Sequence, residues 1–170
     1  MFRTRTPNSN FLSIKPINKK GIYVREYHPI KQNKNNSKKI LFAHAIGFHG
    51  GVFNPMISSL CSLGYSCYSL DFRGHGYSQV PKDSRYDWQA LSEDCMDVVS
   101  TLGLEGCHAF GHSCGGHALL MAEVQNPGMF ASIYAFEPII LLFPGDVEGF
   151  NFSTEDHVTL RRGYALNAKR

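Results

Sequence analysis

Residues 109–116 read Ala109-Phe110-Gly111-His112-Ser113-Cys114-Gly115-Gly116. They join a short β-like run to an apolar helical segment around Ala118–Glu123. Gly111 and Gly115 stand two residues either side of Ser113. A serine on so sharp a strand-to-helix turn needs small neighbours, because larger Cβ groups would collide with nearby backbone. The turn presents the hydroxyl outward and leaves the first N–H groups of the helix without intrahelical partners, in the favourable field of a helix N-terminus. In a chain of 170 residues with 16 glycines the bare pattern Gly-x-Ser-x-Gly arises by chance about 0.13 times, so its weight comes from its place between a strand and a helix.

Working outward, short apolar runs recur at Ile40–Ala43, Ser66–Leu70, His108–Phe110 and Ser132–Phe136. Between the second and third, Trp88, Leu91, Cys95, Val98 and Leu102 repeat at helical spacing, with Asp87 placed to cap the start and Gly103 the end. Strands alternating with helices imply parallel pairing with helices over both faces, so the fold class is α/β, a mostly parallel sheet flanked by helices. Toward the N-terminus, Phe11–Ile17 and Ile22–Tyr27 flank Asn18-Lys19-Lys20-Gly21 and read as an antiparallel hairpin. The segment Lys31–Lys39 contains no apolar residue and reads as a solvated loop.

Composition narrows the function classes. A chain that is 43% hydrophobic and 18% charged has the makings of one packed domain. The longest apolar run, around Pro138–Phe143, is far shorter than a membrane span requires. A net charge of +3, spread through tails and loops, points away from a nucleic-acid partner. Five cysteines (Cys61, Cys67, Cys95, Cys107 and Cys114) without Cys-x-x-Cys spacing fit free buried thiols in a reducing compartment better than disulfides or a zinc site. A cytoplasmic location is expected. The acid-free, basic start before Glu26 also permits a mitochondrial transit peptide.

Two further blocks sit at ordered spacing before the serine turn: His44-Ala45-Ile46-Gly47-Phe48-His49-Gly50-Gly51 and Asp71-Phe72-Arg73-Gly74-His75-Gly76-Tyr77-Ser78. With these three blocks the chain resembles the α/β-hydrolase superfamily over about Ile22–Phe143. The resemblance implies a serine-dependent hydrolase acting on a small-molecule acyl or ester substrate, without metal or organic cofactor. It makes Ser113 the nucleophile and the backbone amides of Ile46 and Cys114 the oxyanion donors. Asp71, Arg73 and His75 are expected to organise the loop beside the pocket, and His44, His49, His112 and His117 to pack or line it.

The superfamily places its acid and then its histidine after the nucleophile. Glu137 closes the Ser132–Phe136 run and has two readings: the acid of the triad, or a structural carboxylate in the Glu137-Pro138 turn. His157 is the one histidine after it, in Thr154–Ala168, a charged helical stretch. The expectation is therefore an incomplete core over residues 11–143 lacking the last two strands of the superfamily, a flexible tail over 1–10, and the start of a cap or lid over 144–170. A catalytically silent, truncated hydrolase or interaction module is the alternative reading. Transfer of the acyl group to an acceptor other than water is a related one. In an incomplete sheet Ser132–Phe136 becomes an open edge, exposing Ile133, Tyr134 and Phe136 to self-association.

Overall fold

The computed structural model describes residues 11–18, 20–29, 38–82 and 85–140. Six strands are described: β1 (Phe11–Pro16), β2 (Tyr23–Tyr27), β3 (Lys39–Ala43), β4 (Ser66–Asp71), β5 (Cys107–His112) and β6 (Phe130–Phe136). They form one sheet in the order β1-β2-β4-β3-β5-β6. β1 and β2 make the expected antiparallel hairpin, closed by the Ile17 N–H donating to the Ile22 carbonyl at 2.8 Å. β2 also pairs antiparallel with β4, whereas β4 with β3, β3 with β5 and β5 with β6 are parallel. The fold is thus the expected mostly parallel α/β sheet. The expected tail (1–10), the cap segment (144–170) and the last residues of the expected core (141–143) lie outside the described residues.

Three helices connect the parallel strands: α1 (Asn54–Ser62), α2 (Trp88–Leu102) and α3 (Cys114–Gln125), with a 3-10 turn at Gly50–Phe53 leading into α1. α2 follows its sequence signals closely. The Asp87 carboxylate accepts the Ala90 N–H at 2.7 Å, and Gly103 ends the helix in the left-handed region at φ 61°. Its stripe Trp88, Leu91, Cys95 and Val98 is buried. α1 carried little signal in the sequence because it buries only Ile57 and Cys61, too narrow a stripe to set a helical period.

Strand alternation sorts the core onto two faces. Leu41, Ala43, Leu70 and Ala109 pack with Leu91, Val98 and Leu119 of α2 and α3. Phe42 and Cys67 turn the other way, toward Phe53, Ile57 and Cys61. Ring centroids of Phe42 and Phe53 lie 5.3 Å apart, and those of Phe42 and Phe110 5.6 Å apart, which suits tilted aromatic packing. All five cysteines are free and buried. Among the described residues no helix is long and apolar enough to cross a membrane.

Replacing Asp87 by Ala removes the α2 cap and should lower stability by about 1 kcal/mol, with Asp87→Asn retaining most of it. Urea unfolding monitored by circular dichroism reads the difference directly.

Candidate active site

The sheet grows in both directions from β3. The chain leaves β3, passes through α1 and returns as β4 on one side; it then crosses through α2 to β5 on the other side. Right-handed crossovers in opposite directions put α1 on one face and α2 and α3 on the other, as the two core clusters record. The loops after β3 and β5 therefore part to opposite faces, and a crevice opens between the C-terminal ends of these neighbouring strands. The loop after β3 carries Ile46, and the turn after β5 carries Ser113.

Ser113 caps α3 at φ 52° and ψ −117°, a left-handed conformation unusual for a residue with a side chain. A serine at a helix N-cap ordinarily accepts a backbone N–H of the first turn. Here the side chain makes no such bond. The strained backbone leaves the hydroxyl without a cap bond to the helix it begins. Backbone bonds fasten the turn from outside: the Ser113 N–H donates to the Phe136 carbonyl at 3.0 Å, and the Ser113 carbonyl accepts the His117 N–H at 3.1 Å.

The flanking glycines are required by contact. A Cβ on Gly111 would lie 2.6 Å from the Gly116 Cα. One on Gly115 would strike the Ala43 carbonyl and lie 2.7 Å from the His44 carbonyl oxygen. The first turn of α3 thus rests directly on the end of β3. Cys114 completes the contact by donating its thiol to the His44 carbonyl at 3.4 Å, and its amide opens α3. Ile46 sits in a turn closed by the Phe48 N–H donating to the Ala45 carbonyl at 3.1 Å.

A buried polar lattice holds these loops. Asp71, at the end of β4, accepts hydrogen bonds from the Arg25 guanidinium, the Gly50 N–H at 2.7 Å and the Tyr77 N–H at 2.8 Å. Burial pushes its pKa up, but Arg25 and these donors outweigh that and hold it below the usual carboxylate range. Arg73 forms a forked pair with Asp94 of α2, with Nη2 to Oδ1 at 2.7 Å and Nε to Oδ2 at 3.0 Å. His44 is fully buried: its Nδ1–H donates to the Ala45 carbonyl at 2.7 Å, and its Nε2 accepts the Phe72 N–H at 3.1 Å. Burial, reinforced by neighbouring His75, holds its pKa down to about 3, so the ring is neutral.

Asp71, Arg73, His44 and His75 are therefore loop-organising residues in position. His75 Nδ1–H donates to the Arg73 carbonyl at 2.8 Å. His49 caps the 3-10 turn by accepting the Gly51 N–H at 3.1 Å, and His112 packs on the Phe136 ring at 5.3 Å. His117 Nδ1–H donates to the Ile139 carbonyl at 2.8 Å. Glu137 is exposed and adopts φ 43°; with Ser113 it is one of two non-glycine residues at positive φ among those described. His157 lies outside the described residues. Two partners were not foreseen. Asp94 had a signal, a carboxylate three residues after Leu91 on the apolar stripe of α2. Arg25 had none, because its partner lies on a strand distant in sequence.

Comparison with known proteins follows the same lines. The sequence profile of the alpha/beta hydrolase fold matches residues 38–151. The chain belongs to the α/β-hydrolase family. It is 28% identical over 123 residues to a monoglyceride lipase homolog of monkeypox virus, covering 70% of this chain and 44% of that protein. It is 26% identical over 115 residues to human monoglyceride lipase, covering 65% and 38%. The chain thus spans about two fifths of the length of these curated relatives. Among solved structures, a predicted CIB-like hydrolase from Thermoplasma acidophilum superposes with a TM-score of 0.65 at 22% identity, over 80% of this chain and 68% of that one. That likeness concerns the fold.

Two outcomes test the site architecture. Gly115→Ala forces its Cβ into the backbone at the end of β3 and should cost about 1–3 kcal/mol or more, read as a lower urea midpoint. His44 also links stability to pH. Its folded pKa of about 3 lies below the unfolded value of 6.5. The unfolded state thus binds the proton first, and stability present in full above pH 6.5 is lost as pH falls toward 3. Each pH unit in that window removes about 1.4 kcal/mol from this group. His44→Gln should flatten the dependence of unfolding free energy on pH between 6.5 and 4; an unchanged slope would assign the effect elsewhere.

Proposed function

We propose that this chain carries the nucleophile and the oxyanion-binding part of a serine hydrolase acting on an ester or other acyl substrate. The observation that carries the reading is Ser113 itself, held at φ 52° with its hydroxyl released from capping. The Ser113 oxygen attacks the acyl carbonyl and gives up its proton to a base, and the Cys114 and Ile46 amides donate to the oxyanion that develops. Collapse of the tetrahedral intermediate expels the alcohol and leaves an acyl-enzyme. Water then attacks the ester and regenerates Ser113. The lipase names of the relatives at 28% and 26% identity support the substrate class.

Glu137 is the proposed acid. Its support is placement: β5 and β6 pair His112 with Phe136, the Ser113 N–H bonds the Phe136 carbonyl, and the Ile139 N–H reaches the Ser113 carbonyl at 3.4 Å. These bonds bring the Glu137 backbone alongside the elbow. A second reading, a catalytically silent interaction module, draws on the histidines. His44, His75 and His117 spend Nδ1 on backbone carbonyls, so the reading with activity takes its base from beyond them.

A fluorophosphonate probe separates the two readings. The active reading expects a covalent adduct on Ser113, located by mass spectrometry and absent from Ser113→Ala. A folded protein that leaves Ser113 unlabelled at high probe concentration supports the silent one.

Self-association through β6 belongs to the same proposal. β6 pairs on one side only among the described residues, and Tyr134 and Phe136 are 63% and 44% exposed beside it. An open strand edge with apolar side chains templates pairing with another chain. Sedimentation should show concentration-dependent association that Tyr134→Lys weakens.

A further inference from the structure

We infer that Arg25 is a positioning residue for the oxyanion donor at Ile46, a role that rests on Ser113 acting as a nucleophile. Arg25 is 4% exposed and lies on β2, which borders β4 and not the strands that flank the crevice. Its guanidinium Nη1 donates to Asp71 Oδ1, the same oxygen that accepts the Gly50 N–H at 2.7 Å. Arg25 Nη2 stands 3.5 Å from His49 Nδ1, which accepts the Gly51 N–H at 3.1 Å. Space is set as closely as bonding. A Cβ on Gly50 would lie 2.9 Å from Arg25 Nη1 and would strike the Ser69 hydroxyl. Ser69, the residue paired with Arg25 across β2 and β4, donates that hydroxyl to the Gly50 carbonyl at 2.8 Å. His49, Gly50 and Gly51 are thus held to the β2–β4 pair.

Ile46 hangs between two anchors. Before it, the His44 ring bonds the Ala45 carbonyl at 2.7 Å and the Phe72 N–H at 3.1 Å. After it comes the clamp on His49–Gly51, and the turn closed by the Phe48 N–H on the Ala45 carbonyl spans the gap. The direction of the Ile46 amide is therefore fixed only while both anchors hold.

The second anchor requires the arginine. Asp71 is fully buried and ion-paired with Arg25, and a buried carboxylate stripped of its cation is left uncompensated. Gly50 then loses the fixed acceptor that holds it. Tyr77 closes the opposite side: its N–H donates to Asp71 Oδ2 at 2.8 Å, and its ring centroid lies 5.3 Å from the Arg25 guanidinium carbon, within cation–π range. Lysine carries the charge but lacks the planar fork that meets the carboxylate, His49 and the ring together.

The test measures phosphonylation of Ser113 by a fluorophosphonate and by its P=S counterpart, in the wild type and in Arg25→Lys. Oxyanion donors favour P=O over P=S, because sulfur accepts hydrogen bonds poorly, so the ratio of the two rates reads the donors themselves. Loss of folded protein lowers both rates together and leaves the ratio unmoved. Arg25→Lys should slow P=O labelling by about 10–100-fold and P=S labelling by less, narrowing the ratio. An unchanged ratio, with Ser113 still labelled in the wild type, would overturn the role of Arg25 and leave the hydrolase reading intact. A wild type unlabelled at Ser113 would overturn both. Hydrogen exchange of the wild type adds a readout that needs no variant to fold. The Gly50, Gly51 and Tyr77 amides should be protected like those of β4, and free exchange at these three would also overturn the inference.

Discussion

Growth of the sheet in two directions from β3 is the constraint on which everything functional in this molecule depends. Parallel strands require crossovers, crossovers are right-handed, and reversal of direction sends successive helices to opposite faces. Between β3 and β5 the connections leave in opposite directions along the sheet, the arrangement that opens a crevice at the strand ends of an α/β fold. Ser113 and Ile46 reach it because each lies within a few residues of a strand end on either side. The close approach of Gly115 to the end of β3 is the local expression of the same arrangement. The two loops meet at van der Waals distance because one of them carries no side chain there.

Around that crevice the loops are held by buried polar groups in place of regular structure. Asp71 ties β2, the 3-10 turn and the following loop to one carboxylate, and Arg73 reaches across to α2 through Asp94. Buried ion pairs add little to net stability, since desolvation offsets much of the attraction, but removing one partner leaves an uncompensated charge. Their effect is to select one loop conformation among many. His44 acts in the same sense as a neutral ring, bonded on both nitrogens to backbone.

Strain appears where this scaffold is most tightly determined. Among the described residues the non-glycine positions at positive φ are Ser113 and Glu137, each directly following a member of the last β5–β6 pair, His112 with Phe136. Backbone bonds from Phe136 and Ile139 secure the serine turn, so the cost of its conformation is carried by the strand pairing around it.

Much of this was legible in the residues. The α2 helix, with Asp87 and Gly103 at its ends, could be read because its apolar period and both caps are local. The serine turn could be read because glycine, serine and glycine at fixed offsets answer a local steric demand. Local pattern therefore determined the α/β class, the hairpin and the candidate nucleophile. The tertiary structure alone decided that Arg25 pairs with Asp71, that α1 covers the Phe42 face, and that the Phe136 carbonyl accepts the Ser113 N–H. Each of these joins residues on different elements, or rests on a stripe too narrow to show a period. Their proximity follows from strand order and register, which no single stretch of chain encodes.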